Sequence, residues 1–336
     1  MQDYDNTTTV LTLWRTNAPW GWHLTKVTVG NSVTSIGSYA FVGDQHLEVI
    51  ALYPCVTSIG QGAFDRCDAA LQISLPSNVT TIGSGAFANC KGLERVDFDC
   101  NETVTLGGSD VFTGCDALQY IVFPTLDAVL ANTTGNWSGY SDKLHTQFGG
   151  KLFSATNEGG TPAYKIATEE DLRNLASAVN SSFSNSGSGL TFRQTADIAM
   201  SSTDFTPIGN SSFFRGIYDG GYHVISGLTV NTSGYAGLFG YVYGGTVKDL
   251  ALVNPSVTGG GHTGAIVGRS LSSNTCHSIF TNLYTHGTNL NVIGQNENSS
   301  YSTVTNVAHT SAITLGTASP PPFSPPSRPT ALSIMA

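Results

Sequence analysis

The sequence predicts a mainly β chain of repeat, solenoid type, with one capping helix near its middle. Three observations carry this expectation. The pentapeptide VTSIG stands at 33–37 and again at 56–60, and VTTIG follows at 79–83. Short apolar elements closed by glycine, GLFG at 237–240 and AIVG at 265–268, punctuate the second half. Charged residues are only 11% of the 336, while Gly alone contributes 38. An ordinary soluble domain carries about a quarter charged residues, and a chain rich in Gly, Ser, Thr and Asn suits turns between short strands.

The pentapeptide heads a longer repeat. The units read VTSIGSYAFVGDQHLEVIAL (33–52), VTSIGQGAFDRCDAALQISLP (56–76) and VTTIGSGAFANCKGLERVDF (79–98). A fourth, VTLGGSDVFTGCDALQYIVFP (104–124), is longer and drifts in register. The phenylalanines Phe41, Phe64, Phe87 and Phe112 recur at 23, 23 and 25 residues. A fixed period of about 20–30 residues is the mark of a solenoid, whose units bury their apolar faces only by stacking. The core columns are then Ile36, Ile59 and Ile82; the phenylalanines; Leu24, Leu47, Ala70, Leu93 and Leu118; Val27, Ile50, Ile73, Val96 and Ile121; and Val29, Leu52, Leu75, Phe98 and Phe123.

Strand alternation places the residues between these columns on the outside. One outward row is Lys26, Val49, Gln72, Arg95 and Tyr120, and the other is Thr28, Ala51, Ser74, Asp97 and Val122. Rungs about 4.8 Å apart would make them a compact ribbon. The candidate ligand-binding residues are Lys26, Thr28, Val49, Gln72, Ser74, Arg95, Asp97 and Tyr120; a solvated face without a ligand is the alternative. Cys67, Cys90 and Cys115 share a column that reads as small buried hydrophobes rather than a disulfide or metal ladder. Cys55 and Cys100 lie too far apart to bridge, and no CxxC pair suggests zinc.

These units resemble the BspA-like leucine-rich repeats of bacterial and protist surface proteins over 20–125. The resemblance implies a leucine-rich-repeat solenoid used in adhesion and recognition.

Residues 126–162 carry no repeat and read as a connector containing the solenoid's cap. AYKIATEEDLRNLASAVNSS, from 163, contains a helix: Thr168 is its N-cap, Glu169, Glu170 and Asp171 suit its positive end, and Leu172, Leu175, Ala176 and Val179 form one apolar face. Phrases of strand character follow, and Val247/Leu250, Phe280/Leu283 and Val304/Val307 form a ladder spaced 33 and 24 residues apart. Asp219 precedes two glycines and reads as a turn former. The YKIAT helix, FTPIG (205–209), the DGG string and GLFG resemble the GLUG-motif family over 163–315. That resemblance implies a right-handed parallel β-helix in secreted or surface bacterial proteins. GAIVG, where GLVG is expected, and ragged later coils depart from the pattern. Residues 1–19 are an N-terminal flank. The Pro-rich 316–336 reads as a disordered tail, either truncated or frame-altered or a linker to an anchor.

Function classes narrow by exclusion. A net charge of −9 without a basic run argues against nucleic acid. No apolar stretch is long enough for a transmembrane helix, and MQDYDNTTTV lacks the regions of a secretory signal. None of the eight histidines forms a metal pair, and no GxSxG or P-loop appears. GGGHTG (259–264) reads as a turn between coils. The expectation is a non-enzymatic, extracellular or cell-surface protein without cofactor or metal. It would bind a host or microbial surface protein or glycan through the repeat face. A carbohydrate-active β-helix enzyme and a purely structural spacer are the alternatives.

Overall fold

The computed structural model describes residues 10–11, 24–182, 184 and 186–310. The flank 1–19, apart from Val10 and Leu11, and the tail 316–336 lie outside the described residues. The chain forms two compact units, the first ending at Lys165 and the second beginning at Ile166.

Two short strands recur in each coil of the first unit. In chain order they are β1 (Val10–Leu11), β2 (Lys26–Thr28), β3 (Ser35–Ile36), β4 (Val49–Ala51), β5 (Ser58–Ile59), β6 (Gln72–Leu75), β7 (Thr81–Ile82), β8 (Arg95–Phe98), β9 (Thr105–Leu106) and β10 (Tyr120–Val122). β3, β5 and β7 lie in the pentapeptides, and β9 in the equivalent VTLGG of the fourth unit. The odd-numbered strands pair in parallel in the order β1-β3-β5-β7-β9, with Ile36, Ile59, Ile82 and Leu106 in one register column. β1 adds a rung from within the N-terminal flank, pairing Val10 with Ser35 and Leu11 with Ile36. The glycine closing each pentapeptide is fixed by close approach: a Cβ on Gly60 would lie 2.5 Å from the backbone nitrogen of Ser38, and one on Gly83 2.5 Å from that of Gln61. Beside this sheet runs a phenylalanine stack. Phe41, Phe64, Phe87 and Phe112 lie 5.1, 5.4 and 5.6 Å apart, ring to ring, stacked with nearly parallel planes. Each is buried, which contributes about 1.5–3 kcal/mol per ring.

The last rung ends on a built cap. Helix α1 (Leu126–Ala131), a 3-10 turn over 135–143, and strands β11 (Leu144–Phe148), β12 (Lys151–Phe153), β13 (Ala155–Thr156) and β14 (Ala163–Ile166) follow β10. β11 continues the outer sheet in parallel to β10, and β12 turns back antiparallel. No further pentapeptide covers β9, so side chains take over its backbone bonds. Asn132 accepts from the Val104 N–H at 2.8 Å, and Asn136 donates to the Leu106 carbonyl at 2.8 Å. Trp137 donates to the Val104 carbonyl at 2.7 Å.

The second unit opens with helix α2 (Glu169–Ser181). Thr168 accepts from the Asp171 N–H while the Asp171 carboxylate accepts from the Thr168 N–H, a reciprocal capping box. Leu172, Leu175, Ala176 and Val179 are buried, as their spacing predicts. Strands β15 (Thr191–Gln194), β16 (Ile198–Ala199), β17 (Ile217–Ser226), β18 (Thr229–Thr232), β19 (Phe239–Tyr243), β20 (Thr246–Val253), β21 (Ser256–Gly259), β22 (Val267–Leu271), β23 (Ile279–His286), β24 (Ile293–Glu297) and β25 (Thr303–Thr310) then wind into three parallel sheets. The longest contains β15-β17-β20-β23-β25, the second β18-β21, and the third β19-β22-β24. Val247 pairs with Phe280 and Phe280 with Val304; Leu250 pairs with Leu283 and Leu283 with Val307. The spacings of 33 and 24 residues are therefore turns of one coil with loops of unequal length. Phe239, Val267 and Ile293 share a column in the third sheet. NVIG (291–294) is thus a third member of the GLFG and AIVG series that the sequence reading did not mark.

A second column marks the last three rungs of the long sheet, β20, β23 and β25. Asp249, Asn282 and Asn306 have left-handed backbones, with φ of 55, 54 and 53°. Their side chains bond from rung to rung: Asn282 donates to Asp249 at 2.6 Å and Asn306 to Asn282 at 2.9 Å. Asp and Asn tolerate this region better than other non-glycine residues.

Candidate binding surface

The predicted outward residues are on the outer sheet of the first unit. Lys26 faces Val49 across β2–β4, and Gln72, Arg95 and Tyr120 form one row across β6–β8–β10. Lys26, Thr28, Gln72 and Ser74 are exposed, Val49 is 44% exposed, and Tyr120 36%. Arg95 and Asp97 are half-buried because they hold each other: the guanidinium bonds to the carboxylate at 2.7 to 2.9 Å. Gln72 donates to the same carboxylate at 2.6 Å. Tyr120 rests edge-on against His145 of β11, with ring centroids 5.4 Å apart. Val122 departs from the expectation: it is buried, so the second outward row ends at Asp97.

The ribbon is also not continuous. Among the described residues, β2–β4 is a separate sheet from β6–β8–β10–β11–β12. Elsewhere the rungs are joined by bonds such as Val49 N–H to the Thr25 carbonyl (3.1 Å), Arg95 N–H to Leu71 (3.3 Å) and Tyr120 N–H to Glu94 (3.2 Å). The equivalent bond from Gln72 N–H to the Glu48 carbonyl does not form. A shallow cavity of about 480 Å³ opens along this seam, lined by Glu48, Val49, Ile50, Ala51, Leu52, Gln72 and Ser74. It brings together Val49, Gln72 and Ser74 of the predicted set. It leaves Lys26 and Thr28 on one side, and Arg95, Asp97 and Tyr120 on the other. Glu48, on its rim, was not singled out by the sequence, because its row carries no alternation signal. Lys26 has no acid partner among the described residues, whereas Arg95 spends its charge on Asp97. Among the described residues the surface therefore offers a cation at Lys26 and an acid at Glu48, neither in an ion pair, two polar side chains and strand edges that share no ladder.

The cysteine column is structural. Cys67, Cys90 and Cys115 donate to the carbonyls of Phe41, Phe64 and Phe87 at 3.3, 3.1 and 3.0 Å, one rung back. The bond with Cys115 and burial together push the Cys90 thiol well above its ordinary pKa. All six cysteines are free thiols, and no group of metal-ligating side chains occurs among the described residues.

In the second unit Asp219 is not at a turn. It lies within β17, 2% exposed, at a bulge where its carboxylate accepts the Gly221 N–H at 2.9 Å. Lys248 and Arg193 approach the other oxygen at 2.5 and 3.0 Å. Burial works to lower the Lys248 pKa, but its bonds to Asp219 and Asp249 prevail and raise it. Both oxygens of Asp219 are thus engaged inside the protein, which leaves this carboxylate no free edge for acid–base work. Among the described residues no helix is long and apolar enough to cross a membrane.

Residues 20–133 match the family model described as BspA type Leucine rich repeat region, in six copies. The chain is 35% identical over 147 residues to Halomucin of Haloquadratum walsbyi, a match covering 38% of this chain and 2% of Halomucin. It therefore spans only about 2% of that relative's length. A crystal structure of a leucine rich cell surface protein from Faecalibacterium prausnitzii A2-165 aligns with 63% of this chain and 69% of its own, at 16% identity and a TM-score of 0.23. The stacked pentapeptides and the phenylalanine column fall within residues 20–133, the stretch that matches the BspA-type leucine-rich repeat model.

Proposed function

We propose that this protein is a non-enzymatic bacterial cell-surface or secreted protein that adheres to a host or microbial surface protein or glycan. The contact is made by the outer sheet of the leucine-rich repeats. The seam between β4 and β6 carries the reading, because it is where exposed side chains, strand edges that share no ladder and a cavity coincide. Solenoids present such extended sheet faces to their partners. The seam's strand edges suit a partner that offers its own backbone or amide groups. Lys26, Thr28, Arg95, Asp97 and Tyr120 flank the seam and form its rim. The match to a family of surface repeats supports an extracellular location. The stretch 163–315 is read as a GLUG-motif right-handed β-helix that carries the adhesive repeats. Its parallel registers and the recurring apolar-apolar-Gly column support this. The closed pairing of Asp219 weighs against the carbohydrate-active enzyme.

The test is binding of the whole chain to immobilised matrix proteins, glycans and epithelial cells, alongside a variant carrying Val49→Asp, Gln72→Ala and Ser74→Arg. Binding by the parent that the variant loses supports the reading. Binding that survives all three changes removes the seam from it, and no binding by the parent favours the spacer.

A further inference from the structure

The outer face of the third sheet in the second unit carries an aromatic and cationic cluster that the adhesion reading does not use. Two outward columns cross its rungs. One runs Phe213, Tyr241, Arg269, and the other Arg215, Tyr243 and, two rungs on, Glu297, as the pairings of Phe214 with Val242, Tyr241 with Arg269 and Leu271 with Glu297 dictate. The rings interlock: Phe213 meets Tyr241 at 6.1 Å and Tyr243 at 5.5 Å, edge to face. Cations lie over ring faces, Arg269 at 4.9 Å from Tyr241 and Arg215 at 5.5 Å from Tyr243.

The two arginines are not equivalent. Arg269 is neutralised by Glu297 through two bonds of 2.9 and 2.8 Å. Arg215 is different. Among the described residues of the second unit the other Lys and Arg side chains, Arg173, Arg193, Lys248 and Arg269, each pair with a carboxylate. Among the described residues Arg215 has no acid partner, and its guanidinium donates only to the Cys276 sulfur, at 2.9 Å. In a chain of net charge −9, an uncompensated guanidinium fixed over a tyrosine is a specific feature. Among the described residues the hydroxyls of Tyr241 and Tyr243 also have no protein partner. The surface thus offers one planar, unpaired cation, two phenolic hydroxyls and half-exposed ring surface on a rigid sheet. Such a guanidinium forks onto a carboxylate, and tyrosines present an apolar ring with a polar tip.

We propose that this face binds a glycan bearing carboxylates, with the acid group on Arg215 and the sugar rings against Tyr241 and Tyr243. The rungs, about 4.8 Å apart, give the face room for a few sugar units. This site lies on the second unit and does not depend on the leucine-rich repeat surface.

The experiment is calorimetric titration of the whole chain with trigalacturonate, a hyaluronan tetrasaccharide and sialyllactose. The fully methyl-esterified trigalacturonate keeps the rings and removes the charge. Variants are Arg215→Gln, Tyr243→Ala and, as a control on the other unit, Val49→Asp. The expected result is binding of at least one acid glycan, weakened about tenfold or more in Arg215→Gln, as loss of one charged hydrogen bond implies. Tyr243→Ala weakens it as well, Val49→Asp leaves it unchanged, and thermal midpoints confirm that each variant is folded. The ester binds at least tenfold more weakly than its acid if trigalacturonate is a ligand. Failure of all three acid glycans to bind overturns the proposal. So does binding that ignores Arg215→Gln. Loss in Val49→Asp alone would move the glycan to the repeat surface and overturn it equally.

Discussion

The indole N–H of Trp137 donates to the carbonyl of Val104 across 2.7 Å, and so closes the backbone of the last pentapeptide rung. Its ring also packs edge-on against Phe98 and Phe123, at 5.8 and 5.7 Å. One side chain therefore does two things that another coil would otherwise do: it satisfies an orphan carbonyl and covers the aromatic core. Substitutions separate the two roles. Trp137→Phe keeps most of the apolar cover but leaves the buried carbonyl unpaired, at a cost of about 1–3 kcal/mol. Trp137→Ala also opens a cavity and costs about 3–5 kcal/mol. Urea denaturation of both variants checks the order. Equal losses would show that only the hydrogen bond matters.

Arg66 sits at a φ of 62°, where the neighbouring units carry Gly43 (71°), Asn89 (58°) and Gly114 (75°). Its side chain is 60% exposed and makes only a surface pair with Asp65 at 3.3 Å. A left-handed non-glycine residue costs about 1–2 kcal/mol, and glycine returns about 0.5–1 of that as unfolded-chain entropy. Arg66→Gly is therefore expected to stabilise the protein by about 0.5–1 kcal/mol, a rise in Tm of about 2 °C. A fall in Tm by calorimetry would show that the Asp65 pair outweighs the backbone strain.

How far the sequence spoke for itself depended on the kind of signal. The pentapeptide's Ile and Gly and the phenylalanine column each repeat for one steric reason per coil, so periodicity alone located them. The Thr168 cap and the face of Leu172, Leu175 and Val179 were equally legible, since a helix end depends on neighbours in the chain. Trp137 and Asn132 were hidden because a cap occurs once and leaves no period. Asp219 was misread because a DGG string suits a turn and a bulge alike; only the approach of Arg193 and Lys248 from other rungs distinguishes them. The seam between β4 and β6 has no counterpart in the pattern, since Val49-Ile50-Ala51 and Gln72-Ile73-Ser74 alternate as regularly as paired strands do. Arg215, 61 residues from its Cys276 partner, needed the coil geometry to become visible.

The Arg269–Glu297 pair gives a pH dependence with a definite sign. The bond from Arg269 holds the Glu297 carboxylate below its usual pKa. A carboxylate whose folded pKa is depressed adds stability that is fully present above its unfolded value of about 4.3. That stability is lost as the pH falls through the lower, folded value. The difference in Tm between the parent and Glu297→Gln is expected to hold steady from about pH 8 to 5 and to shrink below about pH 4. Calorimetry across that range checks it. A difference unchanged down to the most acid sample would mean that the substitution acts through packing and not through charge.

Asn282 links three rungs of the long sheet through one side chain. It donates to Asp249 at 2.6 Å, accepts from Asn306 at 2.9 Å, and holds a left-handed backbone at φ 54°. These contributions separate by substitution. Asn282→Gly keeps the backbone conformation at no steric cost, adds about 0.5–1 kcal/mol of unfolded-chain entropy and removes the amide bonds, worth about 1 kcal/mol each and more where the acceptor is charged. Asn282→Ala removes the same bonds and adds about 1–2 kcal/mol of left-handed strain. Alanine is therefore expected to be the more damaging of the two, against the usual order in strands, where glycine is the weaker residue. Chemical denaturation ranks the pair directly. If alanine proved the milder change, the rung would have abandoned its left-handed residue at position 282.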